Sequence, residues 1–471
     1  MNHFANFFIL ISLGILAPLC WSADTLLQIY EVSLRNDSEL LAAQAEYLAK
    51  TESKNINRAA LLSNIDAIGT YSENEWKGSS TSVLGQNSIF GRKGNTDRDT
   101  KSYSITLSQP IFNLPAWFSF QQGKELSYEA QLQFSANQQS FILRCADTYY
   151  GVLRAKEALE STIAEEEAIR DQLDQAKKRF EVGLTAITEI YETKAAYDNA
   201  RVKSLEATTA LDIAFDGLTV LTGQSHEKLA GLATDFPIIK PEPLGREEWV
   251  QFALENNFSL KAARHARDAA AQNAKSKKYE HLPKLTGSIS YYDDRSDSYF
   301  MGTDLNTSTP FSSPSESNSL GYSTGVEISV PIFTGGLISA KRRQAMQQFL
   351  QLKEIWIGKQ RSTAQQTRSQ HLQVFTNVAR VQAREQAVDS AKSVLTSTEE
   401  SYEAGTRNIA DVLIAQRSLY QAKRDYADSR YDYINSLLRL KEVSGQLSPK
   451  DLIELNAWLN PEIIVMKSVY Q

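Results

Sequence analysis

Arg179-Phe180-Glu181-Val182-Gly183-Leu184-Thr185-Ala186-Ile187-Thr188-Glu189-Ile190 and Ser401-Tyr402-Glu403-Ala404-Gly405-Thr406-Arg407-Asn408-Ile409-Ala410-Asp411-Val412 are two versions of one stretch, about 220 residues apart. Each closes a run of nearly seventy residues free of internal proline, Pro115 to Val182 and Leu337 to Ala404, rich in good helix formers. At 1.5 Å per residue such a helix spans ~100 Å, more than a compact globular domain holds. Gly183 and Gly405 stop these helices, and a second helix is expected to return from Ile187 to Leu221 and from Ile409 to Val443. The chain therefore contains two long helical hairpins. Leu159, Leu173 and Phe180 fall at sevens, with Glu166 between and Ile163 or Ile169 at intermediate places. Val381, Val388, Leu395 and Tyr402 do the same in the second hairpin, which predicts coiled-coil seams.

Working outward, the repetition covers nearly the whole chain. Leu34-Arg35-Asn36-Asp37 matches Leu254-Glu255-Asn256-Asn257, Gln109-Pro110-Ile111-Phe112 matches Val330-Pro331-Ile332-Phe333, and Leu221-Thr222-Gly223 matches Val443-Ser444-Gly445, always in the same order. So long a period is a duplicated unit rather than a solenoid repeat. Prolines 237, 241 and 243 with Gly245 form a stiff linker, so the halves are placed at residues 23–245 and 246–471.

Ahead of each long helix the pattern changes. Thr25 to Leu62 and Arg246 to Tyr279 read as helix, and each leads into residues that alternate at period two. Tyr103 to Gln109 and Tyr322 to Val330 are the clearest strands; Leu285, Ile289 and Tyr291 alternate with small polar residues, and Ile65, Ala67 and Tyr71 do so less cleanly. Strand pairs are expected within 64–112 and 284–333, joined by polar loops at Asn74 to Thr100 and Asp293 to Ser319. Four strands cannot close a barrel, and no other segment offers strands to cover their apolar face. Three chains would supply twelve, enough to surround a lumen, so a homotrimeric membrane barrel continuous with a helical tunnel is expected. Phe112, Trp117, Phe118, Phe120 and Phe333 follow the strands, either as an interfacial aromatic girdle or as packing at the strand-to-helix junction.

Composition narrows the function. A net charge of −6 and pI near 5.6 give no basic surplus for nucleic acid. The apolar run Phe4 to Leu19, followed by Cys20-Trp21-Ser22, reads as a secretory signal over residues 1–22, with a membrane anchor as the alternative. Leu19 stands where a small residue would precede a lipidated cysteine, which argues against a lipoprotein. Without residues 1–22 only Cys145 remains, which excludes an intramolecular disulfide and suits a buried thiol. His226, His265, His281 and His371 lack metal-ligand spacing, so no metal site or cofactor is expected. Gly91-Arg92-Lys93-Gly94 lacks the spacing of a phosphate loop, and no base, nucleophile and metal constellation marks an enzyme. A duct and a periplasmic coiled-coil adaptor both fit long helices; two strand pairs with lipid-type alternation favour the duct.

The hairpin-tip stretches, Arg179 to Glu189 and Gly405 to Leu413, resemble those of the TolC family of outer-membrane efflux and type I secretion channels. That resemblance implies a twelve-stranded trimeric barrel in the outer-membrane lipid, a twelve-helix periplasmic tunnel, and docking to a periplasmic adaptor and an inner-membrane pump or ABC secretion transporter. It implies an iris-like gate at the tips, in which Tyr402 and Arg407 face Thr188 and Glu189, with Arg430 in the same network. Asp411 matches an aspartate that rings the entrance and selects cations, while Ile414 replaces a second acid one turn later. Gly183, Leu184, Gly405 and Thr406 mark the adaptor-docking surface. Whether the cargo is a drug or a secreted polypeptide stays open.

Overall fold

The computed structural model describes residues 23–84, 88–304 and 307–467. The expected signal segment, residues 1–22, lies outside them. Three short helices, α1 (Leu26–Asn36), α2 (Ser38–Thr51) and α3 (Ser53–Ala59), lead into strands β1 (Asn64–Leu84) and β2 (Ser88–Phe112). Helix α4 (Leu114–Glu181) and its return partner α5 (Ile187–Thr222) follow, then the short strand β3 (Lys228–Leu232). The order then recurs as α6 (Arg246–Asn256), α7 (Phe258–Lys278), β4 (Lys284–Asp304), β5 (Pro310–Ser329), α8 (Leu337–Glu403) and α9 (Ile409–Ser444). Helix α10 (Pro449–Asn456) and strand β6 (Leu459–Met466) end the described chain.

The two helices expected before the strands are broken. α1 stops at Asp37, whose carboxylate accepts the Leu40 amide at 2.6 Å, and α6 stops at Asn257. Both breaks fall in the matched Asn36-Asp37 and Asn256-Asn257 pairs, and both are pinned to the far end of a return helix. Asn36 donates to the Thr222 carbonyl and Asn257 to the Val443 carbonyl, each at 2.8 Å. Gly445, at φ +79°, lies so near this junction that a Cβ there would stand 2.5 Å from the Asn256 carbonyl oxygen. Two of the sequence landmarks are thus two sides of one contact.

The chain folds into two compact units that cut across the sequence halves, each drawing segments from both. The first comprises residues 23–45, 134–259 and 360–467 of the described chain. Its core is built on Tyr149, Tyr150, Phe141, Phe215, Tyr431 and Tyr433, with Leu26, Ile29 and Leu218, all at most 2% exposed. Tyr149 Oη donates to the Ala230 carbonyl at 2.7 Å, tying α4 to the two-stranded β3-β6 sheet. Cys145 is fully buried and its thiol is pushed up to about 12 by that burial, which suits inert packing. Leu159, Leu173 and Val381 are buried as the heptads require, whereas Ile163 and Phe180 are exposed.

The second unit, residues 46–133 and 260–359, holds a four-stranded antiparallel sheet in the order β1-β2-β4-β5. Ile65, Leu107 and Ile289 are paired across three strands, and Ala67, Ile105, Tyr291 and Tyr322 across all four. Most of these side chains are exposed, so the sheet has one uncovered apolar face. The other face is polar: Thr106 and Ser290 hydroxyls meet at 2.9 Å, and Ser102 donates to Asp294. The expected polar loops are a correction. Asn74 to Leu84, Ser88 to Thr100, Asp293 to Asp304 and Pro310 to Ser319 are strand, because the hairpin ladders satisfy their backbone whatever the side chains. The aromatics after the strands divide. Phe118 stacks on Tyr279 at 5.2 Å as junction packing, while Phe112, Trp117 and Phe333 are exposed. Among the described residues no helix is long and apolar enough to cross a membrane.

Candidate functional site at the tips of the helical hairpins

Both tips are built by the same local chemistry. Gly183 and Gly405 take φ +78° and +77°, a conformation glycine adopts without the penalty of a Cβ. The Gly183 amide donates to Phe180 O at 2.9 Å and the Leu184 amide to Arg179 O at 2.8 Å; Gly405 to Tyr402 O and Thr406 to Ser401 O repeat the pattern at 3.0 and 2.9 Å. These paired bonds close the last helical carbonyls and reverse the chain. The return helices start differently. Ala186 offers α5 no side-chain cap, whereas Asn408 caps α9 by accepting the Asp411 amide at 2.9 Å. Gly183, Leu184, Gly405 and Thr406 are all exposed.

One polar cluster joins the hairpins. Glu189, in the first turn of α5, accepts the Tyr402 hydroxyl on one carboxylate oxygen and the Thr185 hydroxyl on the other. Tyr402 is 9% exposed and packs among Ile169, Ala200, Ile409, Val412 and Leu413, side chains of α4, α5 and α9. Burial, the bond to Glu189 and its negative charge push the phenol up to about 12, so Tyr402 remains a donor across the physiological range. The guanidinium of Arg179 lies over the Tyr402 ring at 4.7 Å. Thr188 is exposed beside Glu189.

Two arginines stand elsewhere than expected. Arg407 pairs within its own hairpin, 3.6 Å from Asp411, because the acid lies one helical turn along and requires no reach across the tips. Arg430 is not at the tips. It lies about 30 Å along α9 from Ile409, is buried, and donates to the Ala233 carbonyl at 2.7 Å. Asp411 is half-buried in the first turn of α9, and Ile414 is 61% exposed one turn on. Arg179 was missed in the sequence because its partner, a ring, leaves no charge pattern.

Farther along the hairpins a buried acid holds three helices. Glu165 of α4 meets Lys203 of α5 at 3.0 Å and Arg424 of α9 at 2.8 Å. Glu166 accepts the Ser204 hydroxyl. Beyond it, Arg384 pairs with Asp425 at 2.7 Å, and Arg154 with Asp428 at 3.5 Å and with Asp432. No nucleophile and base constellation lies among these groups; the cluster is a fastening whose parts are reversible hydrogen bonds and ion pairs.

Comparison with known proteins gives the family of the chain. The sequence profile of the family described as outer membrane efflux protein matches residues 29–224 and again 249–446. Outer membrane protein TolC of Vibrio cholerae serotype O1 is 32% identical over 459 residues, covering 98% of this chain and 99% of its own. Alkaline protease secretion protein AprF of Pseudomonas aeruginosa is 30% identical over 434 residues, covering 91% of this chain and 85% of its own. The solved structure of the outer membrane protein VceC of Vibrio cholerae superposes with a TM-score of 0.70 at 18% identity, over 89% of this chain and 96% of that one. With the profile matched twice and relatives of this identity spanning it, the chain belongs to the outer membrane efflux protein family.

Proposed function

We propose that three copies of this chain form a passive exit duct of the outer membrane, gated at the hairpin tips. The observation that carries this reading is the sheet. One four-stranded hairpin pair leaves an apolar face uncovered and pairs β1 and β5 on one side only, which three copies resolve by closing twelve strands with that face toward lipid. A helical adaptor needs no such sheet, so that alternative finds no support. Relatives named for protease secretion and for efflux support export of either class of cargo. A periplasmic adaptor docks at the exposed turns around Gly183-Leu184 and Gly405-Thr406, and an inner-membrane pump or ABC transporter supplies the energy.

Glu189 and Tyr402 form the latch between hairpins, and Arg407, with 57% of its side chain exposed, can turn from Asp411 to lend charge to a neighbouring copy. Asp411 from three copies forms the entrance ring. Conductance of the purified protein in a planar bilayer tests both. A Tyr402→Phe, Arg407→Ser variant removes a charge-assisted bond of about 1.5–3 kcal/mol and should conduct well above wild type. Asp411→Asn should lose cation selectivity and divalent block. A protein that forms no channel, in either form, would refute the duct.

A further inference from the structure

In the second unit α4 and α7 bring together three metal-ligating side chains that lie far apart in sequence: Glu125, His265 and Asp268. One ligand atom from each lies within 4.8 Å of the other two. We propose that Glu125, His265 and Asp268 form a zinc site that clamps α4 to α7. The inference is independent of the duct reading, since it rests on helices alone.

The donors are arranged as a cation site requires. His265 and Asp268 are three residues apart and share a face of α7, and Glu125 meets them from α4. His265 Nδ1 lies 2.7 Å from Glu125 Oε2, with the Tyr128 ring against the imidazole at 5.5 Å. Asp268 is oriented from outside: Arg267 donates to its Oδ1 through Nε at 2.9 Å and Nη2 at 2.6 Å, and the Arg267 guanidinium is itself held over Trp356 at 4.3 Å. That leaves Oδ2, whose neighbour Arg264 is 4.0 Å away. Outer groups that fix a carboxylate in this manner are what metal ligands need.

The mixed set selects the ion. An imidazole with carboxylates suits zinc, whereas calcium and magnesium prefer oxygen alone. Zinc at about 2.0 Å from each donor separates ligand atoms by about 3.3 Å, so Glu125 and His265 need only move apart slightly and Asp268 draws in. The ion takes the place of the hydrogen bond between His265 Nδ1 and Glu125 Oε2.

The test is zinc content after equilibrium dialysis of the full-length mature protein in detergent, with thermal melting before and after chelation. Wild type should retain one zinc per chain and melt lower after chelation. His265→Asn keeps a donor for Glu125 but is a poor ligand, and should weaken zinc binding at least about tenfold. Glu125→Gln should do likewise, and serves if the first variant misfolds. Asp411→Asn, which removes the proposed entrance acid, should still retain one zinc per chain. Wild type without stoichiometric zinc, or His265→Asn binding equally, would overturn the site. Loss only in Asp411→Asn would assign the ion to the entrance acids and overturn it too.

Discussion

Tyr402 shows how one side chain serves two ends. Its ring joins a small apolar cluster from three helices, and its hydroxyl reaches the one acid at the start of the facing hairpin. Breaking the bond would leave the ring in its apolar cluster, so the proposed latch should open without unfolding the tip. Glu157 is a comparable case deeper in the first unit. It is half-buried in α4, accepts the Tyr431 hydroxyl, and desolvation there holds its carboxyl above the ordinary value, with that bond and Arg430 pulling the other way. The folded protein therefore binds this proton more tightly than the unfolded chain. Its contribution is full below the ordinary carboxylate pKa and is lost as pH rises through the raised value. Glu157→Gln should accordingly become progressively more stable than wild type from about pH 4.5 upward. The gap should grow by about 1.4 kcal/mol for each pH unit up to the raised value, read by denaturant unfolding across pH.

The long helices are held by charge as much as by apolar seams. Most ion pairs between them are exposed and each contributes about 1 kcal/mol or less. Glu165 differs because its side chain is only 2% exposed and answers two cations, Lys203 and Arg424, on different helices. Glu165→Gln leaves Arg424, its side chain 14% exposed, facing a neutral partner, and should lower stability by roughly 2 kcal/mol. The double variant Glu165→Gln, Arg424→Met should recover most of that loss in thermal melts, because the cost lies in the unpaired charge. Heptad reading found the buried Leu159, Leu173 and Val381, but placed Phe180 and Ile163 in the seam although both are exposed in the chain. A period of seven identifies a stripe on one helix; how wide the partner covers it depends on neighbours. The polar strand extensions escaped reading for a related reason. Alternation of Ser, Thr, Asn and Asp carries no apolar contrast, so period two is invisible where both faces are wet.

Assembly is what a single copy leaves unfinished. The uncovered sheet face and one-sided edge strands describe a subunit whose partners are copies of itself, and the family supports this reading. The electrostatics of the proposed entrance follow from the same symmetry. Each side chain near the axis counts three times, so Ile414→Asp, one turn from Asp411, should add three carboxylates. Divalent cations should then block about tenfold more tightly, about 1.4 kcal/mol, as measured by current inhibition in a bilayer. Unchanged block would place position 414 away from the lumen.

The amino-acid sequence by itself determined the duplication, the apolar parts of the four long strands, the two hairpins and the glycine turns, because each rests on a repeated pattern or on one backbone conformation; the short strands β3 and β6 it did not show. Tertiary structure alone decided the partners of long polar side chains. Arg430 sits in the right helix for the tip network yet meets Ala233, Arg407 turns to Asp411, and Arg179 covers Tyr402. His265 reads as an isolated histidine until α7 packs on α4 and brings Glu125 from 140 residues away. An arginine or histidine reaches any neighbour within several ångströms, and which neighbour that is depends on helix rotation and register, which spacing along the chain does not encode.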